Sequence, residues 1–287
     1  MVVSWFVIIG LLVLCVYKKF IKSLKTKHYI FISILLLTCL LGLYFLTILS
    51  WFDRGDKAYK LKLYDEAIEC YTKQIQLTPE GANAYKTRGI AYYNKKEYDK
   101  AIEDFNKAIE LAPKYADAYN SRGWTYYKKD NYDKAIYDFN KAIELDPKNA
   151  VAYNNRGSAY YSKKEYGKAI NDHNKAIELD PKDADTYNSR GWIYLWLNEW
   201  EKAKNDFVKA IELDNKYSSP YGNIGIYYWK AQKNKQKALE YYEKSFQIGY
   251  NWNALYDDTS DGHFIGDLNQ TPEFKALVEK YKKSSGK

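Results

Sequence analysis

The chain has 287 residues, 44 basic and 36 acidic side chains and a formal net charge of +8, with a mean hydropathy of −0.60. Residues 1–52 carry five lysines and no acid, which leaves the other 235 residues at only +3, too diffuse to neutralise a row of phosphates, so no nucleic-acid partner is expected. The three cysteines, Cys15, Cys39 and Cys70, cannot form a disulfide framework, and two of them lie in apolar runs.

The first predicted element is an apolar run over residues 2–17, about 24 Å long as a helix and short for a hydrocarbon core of about 30 Å. A cleaved signal peptide is the rival, but no basic residue precedes the run and no A-x-A-like site follows it. The second run, residues 29–52, has 24 residues without a charge and is long enough to span. Between them the loop at 18–28 presents Lys18, Lys19, Lys22, Lys25 and Lys27. Short lysine-rich loops stay in the cytoplasm. The expectation is a transmembrane helical hairpin over residues 1–52 in the cytoplasmic (inner) membrane, with the remaining domain on the extracytoplasmic side.

From there a period governs the chain. Gly55, Gly89, Gly123, Gly157, Gly191 and Gly225 are spaced by 34 residues. Ala67, Ala101, Ala135, Ala169 and Ala203 keep the same interval, followed by Ala238 after one inserted residue. Pro79, Pro113, Pro147 and Pro181 follow it too, with Asn215 in the fifth place. Within 82–115, Tyr85, Arg88, Gly89 and Tyr92 fall at helical spacing, as do Ala101, Phe105 and Ala108, and Pro113 closes the unit. Each unit is therefore a helix pair that cannot bury its own apolar face, and stacking the pairs supplies the core.

These residues resemble the tetratricopeptide repeat family over about residues 48–251, in six units of about 48–81, 82–115, 116–149, 150–183, 184–217 and 218–251. The unit at 116–149 carries the pattern as Tyr119, Gly123, Tyr126, Ala135, Phe139, Ala142 and Pro147. Departures are few. Arg54, Arg88, Arg122, Arg156 and Arg190 stand where the family's leucine precedes glycine, as in its N-R-G variant; Gln74 and Ser245 replace the last alanine, and His173 replaces the second-helix aromatic. The last three substitutions are expected to loosen their contacts. The fold class expected is all-α: an N-terminal transmembrane hairpin, an α-solenoid of about six such repeats, and a C-terminal capping helix within 252–287.

Register ties anchor to array. Trp51 takes the first unit's aromatic position and Gly55 its glycine, so a continuous helix is predicted from about residue 30 to 61. Beyond the sixth unit, 251–270 reads as irregular. Thr271, Pro272 and Glu273 then open an amphipathic helix bearing Phe274, Leu277, Val278 and Tyr281, and 264–277 resembles the closing element behind bacterial arrays of the family.

Catalysis finds no constellation. His28, His173 and His263 cannot be brought together by local spacing; no phosphate loop, C-x-x-C or H-E-x-x-H pattern occurs, and no catalytic, cofactor-binding or metal residue is assigned. His173 beside Asp172 reads as a packed histidine. Of the 31 tyrosines, Tyr92, Tyr126, Tyr160, Tyr194 and Tyr228 occupy the family's packing positions.

In the family the first helices line a concave groove. The matching positions are Lys86, Asn120, Asn154 and Asn188, one turn from Ile90, Trp124, Ser158, Trp192 and Ile226, with Tyr93, Tyr127, Tyr161, Leu195 and Trp229 a turn later. An asparagine ladder beside aromatics suits an extended peptide, because a carboxamide can donate to and accept from any peptide backbone. The resemblance thus implies a scaffold or adaptor that binds a protein or peptide segment. The partner site assigned is Lys86, Tyr93, Asn120, Trp124, Tyr127, Asn154, Tyr161, Asn188, Trp192 and Trp229. The family's chaperone-tail clamp is incomplete, since Ile90 stands where it needs asparagine. A structural or assembly factor acting through self-association is the alternative.

Overall fold

The computed structural model describes residues 26–249 and 266–285. The first apolar run and most of the basic loop lie outside these residues. Two compact units divide the chain, Met1–Lys95 and Lys96–Lys287. Thirteen α-helices and no strand occur among the described residues.

The first unit contains α1 (Thr26–Lys60), α2 (Tyr64–Leu77) and α3 (Ala82–Asn94). Helix α1 runs 35 residues without a break from the apolar segment into the first repeat, as the register of Trp51 and Gly55 requires. Its stretch Ile32–Lys60 is long and apolar enough to cross a membrane by length and composition, and Ile34, Leu37, Leu41 and Leu43 are each more than half exposed. Helix α2 lies antiparallel along the later part of α1. The Tyr71 hydroxyl donates to Asp56 Oδ1 at 2.7 Å, and the Tyr44 hydroxyl donates to the Leu77 carbonyl at 2.5 Å. The last third of the predicted spanning segment is thus flanked by a polar helix. Ala58, Ala67, Tyr71 and Ala91 form this unit's core, with Phe52, Tyr59 and Ile68 packed against it.

The second unit contains α4 (Tyr98–Leu111), α5 (Ala116–Lys128), α6 (Tyr132–Leu145), α7 (Ala150–Ser162), α8 (Tyr166–Leu179), α9 (Ala184–Trp196), α10 (Trp200–Leu213), α11 (Ser218–Lys230) and α12 (Lys235–Ile248). A short 3-10 turn (Gly266–Gln270) and α13 (Pro272–Ser285) follow. Odd and even helices alternate as the two members of each repeat. The periodic alanines Ala135, Ala169 and Ala203 are fully buried, as are Phe139 and Phe207. The periodic glycines permit this approach: a methyl in place of the Gly123 hydrogen would stand 2.9 Å from Phe139 Cε1, closer than packed carbon atoms tolerate.

The turn within each repeat is made by a residue with left-handed backbone, at Lys62, Lys96, Asp130, Lys164, Asn198 and Lys233. None is glycine, and the extra residue of the last repeat falls in its turn, between Lys230 and Lys235. Ser245, expected to loosen the last repeat, does not: it is fully buried and its hydroxyl donates to the Ser218 carbonyl at 2.9 Å. Gln74 fits less well, because its buried Oε1 has no partner.

The closing helix matches its sequence signal. Thr271 Oγ1 accepts from the Phe274 amide at 3.3 Å, and Phe274 and Val278 are buried against Tyr242 and Phe246 of α12. Residues 250–265, most of the segment expected to be irregular, lie outside the described residues.

Candidate functional site: the inner face of the repeat array

Three of the arginines that depart from the family's leucine, Arg122, Arg156 and Arg190, are structural clamps. Arg156 donates from Nε and Nη2 to the two carboxylate oxygens of Asp172, at 2.8 and 2.6 Å, and from Nη1 to Asn140 Oδ1 at 2.6 Å. It therefore ties its own repeat's second helix to that of the preceding repeat. Arg122 does the same with Asp138 and Asn106, and Arg190 with Asp206 and Asn174. The planar five-donor guanidinium fits this fork. The Asp172 hydrogen bond holds the Arg156 guanidinium above its ordinary range, outweighing burial. In the first repeat Cys70 stands at the aspartate position, and Arg54 instead lies over the Trp51 ring, 5.4 Å from its centroid.

Within the second unit, α5, α7, α9 and α11 carry eight of the ten residues assigned to the groove: Asn120, Trp124, Tyr127, Asn154, Tyr161, Asn188, Trp192 and Trp229. Lys86 and Tyr93 lie half-buried on α3 of the first unit. The asparagines are not a bare ladder of amides. Asn120 Oδ1 accepts from Asn155 Nδ2 at 3.0 Å. Asn188 accepts from Asn223 Nδ2 at 2.9 Å and donates to the Tyr217 hydroxyl at 3.1 Å. Asn154 donates to Asp185 Oδ2 at 3.3 Å, while its buried Oδ1 has no partner. These carboxamides link one repeat to the next.

Asn155, Asp185, Tyr217 and Asn223 were not singled out by sequence reasoning. The available signal was the recurrence of asparagine at 35-residue offset, one place past the ladder position. Tyr217 also donates to Asp185 Oδ1 at 2.9 Å, and burial together with that carboxylate raises its pKa.

The aromatic positions make the wall. Trp124 and Tyr127 stack with ring centroids 4.9 Å apart, and Lys128 Nζ stands 4.8 Å from the Trp124 centroid. Trp192 Nε1 donates to the Tyr161 hydroxyl at 2.8 Å. A cavity of about 190 Å³ opens here, lined by Tyr127, Ser158, Tyr161, His173, Asn188 and Trp192 with Ser189 and Ile193. His173 packs inside the stack, 1% exposed, as expected; burial and, to a lesser extent, the Arg190 charge push its pKa down to about 3. No cluster of His, Cys, Asp and Glu able to hold a metal occurs among the described residues.

Tetratricopeptide repeat profiles match residues 49–80, 82–115, 116–149, 150–183 and 184–217, more than half of the chain. The chain belongs to the tetratricopeptide repeat family. A crystal structure of MamA is similar at 30% identity and a TM-score of 0.50, with 60% of this chain and 94% of that chain covered. A tetratricopeptide repeat protein from Parabacteroides merdae is 21% identical at a TM-score of 0.62, covering 80% and 84%. PilF of Pseudomonas aeruginosa is 21% identical at 0.56, covering 70% and 98%. The last two show the fold alone. Comparison with curated proteins gives no significant match. The tetratricopeptide repeat fold is consistent with a protein-interaction scaffold without enzymatic activity.

Proposed function

We propose that this tetratricopeptide repeat protein is a membrane-anchored adaptor that holds an extended segment of a protein partner on the inner face formed by α5, α7, α9 and α11. The observation that carries this reading is the half-buried aromatic wall of Trp124, Tyr127, Tyr161 and Trp192, with a side-chain-sized cavity opening in it. Such rings supply apolar area with a polar handle, at little cost in side-chain entropy. Selection of displayed peptides on the full chain in nanodiscs tests it. Selected peptides should lose at least tenfold in affinity on Trp124→Ala and Trp192→Ala; unchanged affinity in both would remove the inner face as the site.

The anchor in this reading is α1, whose exposed leucines have no protein cover among the described residues. The lysines at 18–27 favour a cytoplasmic loop and an array outside the inner membrane, with the run at 2–17 as the first arm of a hairpin. Protease added to cells with an opened outer envelope and a sealed inner membrane should digest the array. Protection there would reverse the orientation.

A further inference from the structure

Two departures from the repeat pattern meet in one place. At the position of His173 the other repeats have Tyr71, Phe105, Phe139, Phe207 and Tyr242. At the position of Ser158, four of the other repeats have Ile90, Trp124, Trp192 and Ile226. Both exceptions fall in the repeat at 150–183, on paired helices α7 and α8, and both line the 190 Å³ cavity. The small serine leaves the space and the histidine puts a polar ring into its lining.

That ring lacks a partner. His173 is 1% exposed, and its Nδ1 is sealed from solvent with no hydrogen bond. Its Cε1–Nε2 edge lies at Gly157, next to Ser158: a methyl on Gly157 would stand 2.8 Å from Cε1 and 3.0 Å from Nε2. Burial keeps the imidazole neutral, with one N–H and one lone pair. It offers an anion no positive charge, and of its two nitrogens Nε2, which unlike Nδ1 is not sealed, is the one a polar occupant of the cavity can hydrogen-bond. The remaining lining is uncharged, with the three rings of Tyr127, Tyr161 and Trp192 beside Ser158, Asn188, Ser189 and Ile193. Size narrows the choice further, because a cavity of about 150 Å³ with apolar walls accommodates benzene.

We propose that this cavity is a specificity pocket for a tyrosine side chain of the bound segment, its ring held against Tyr127, Tyr161 and Trp192 and its hydroxyl on His173 Nε2. The proposal rests on the inner face being the partner site. It adds which residue of the partner is read, and where.

The test uses the full chain in nanodiscs, labelled with 15N-histidine, and two probes: the end-blocked pentapeptides Gly-Gly-Tyr-Gly-Gly and Gly-Gly-Phe-Gly-Gly. With three histidines in the chain, the His173 signals are assigned by their loss in His173→Phe. The tyrosine probe should shift the His173 ring nitrogens and bind about threefold to tenfold more tightly than the phenylalanine probe, the range of one net hydrogen bond. His173→Phe installs the residue that three other repeats carry, so the fold is kept; it should bring the two probes together. Ser158→Trp, which copies Trp124 and Trp192, should abolish binding of both. Equal affinities in the unaltered chain, no binding of either probe, or tyrosine binding untouched by Ser158→Trp would each overturn the proposal. Should selected longer peptides respond to Trp124→Ala but not to Ser158→Trp, the inner-face reading stands while the pocket falls.

Discussion

The Tyr44 hydroxyl donates to the main-chain carbonyl of Leu77, fastening the C-terminal end of α2 against the middle of α1. Everything in α2 is thereby placed beside α1 between Tyr44 and Ala58, including Asp65, Glu66, Glu69 and Lys73. Charged side chains of this kind cost roughly 2.5–3.5 kcal/mol each at the centre of a bilayer. In the anchored reading, hydrocarbon therefore ends near Leu43, and the uncharged stretch left to lie in it is residues 29–43, about 22 Å of helix. Single cysteines introduced in a cysteine-free background should show this with a membrane-impermeant thiol reagent. Leu49→Cys should react and Leu37→Cys should not, whereas equal protection of both would place the boundary at Phe52 or beyond.

The clamp between Arg156 and Asp172 makes a second prediction. Asp172 is 6% exposed, and Arg156→Leu leaves its carboxylate buried without the paired cation. Breaking such a pair costs about 3–5 kcal/mol, while replacing both members by apolar residues costs far less. Chemical denaturation should show Arg156→Leu strongly destabilised and the double variant with Asp172→Leu substantially recovered. Arg156→Lys should not rescue, since a single ammonium cannot serve both Asp172 oxygens and Asn140 together.

The buried histidine sets a pH dependence. In the folded chain burial lowers the His173 pKa to about 3, against about 6.5 when unfolded. The unfolded chain then binds more protons below pH 6.5, so stability is complete above that value and falls as pH drops towards 3, by about 1.4 kcal/mol per unit. Melting curves across pH 7 to 4 should show His173→Phe losing less stability than the unaltered chain. Parallel curves would mean that the imidazole is hydrated in the folded state.

The close approach at Gly123 predicts a steric cost. A β-carbon there stands 2.9 Å from Phe139 Cε1 and 3.1 Å from Asp138 Cβ, and the ring is fully buried. Gly123→Ala should destabilise by about 1–3 kcal/mol, although alanine is the better helix former by about 1 kcal/mol. A raised melting temperature would contradict the packing described.

The asparagines give the last prediction. As bare ligand-binding amides, Asn120 and Asn188 could be replaced by alanine without loss of stability. Because Asn120 accepts from Asn155, and Asn188 both accepts from Asn223 and donates to Tyr217, the double alanine variant should instead melt at lower temperature, with about 1 kcal/mol lost per hydrogen bond. An unchanged melting temperature would release these amides to a partner.

The sequence by itself determined the helices, their pairing and their phase. A 34-residue period in glycine, alanine and proline is a local message: each residue type acts through backbone conformation or close approach within one repeat, and the unbroken helix through Trp51 and Gly55 follows from the same register. The closing helix was equally legible, since Thr271 caps it and its apolar spacing matches the buried face. What only the tertiary structure decided is which polar groups are already spent. Arg156 is read in the sequence as a departure from leucine; that it grips Asp172 and Asn140 depends on two other helices. The asparagine contacts, the packing of α2 along α1 and the cavity at His173 are of the same kind. Each joins side chains from different helices, and hydrogen-bond satisfaction and empty volume are properties of that assembly, which no single repeat encodes.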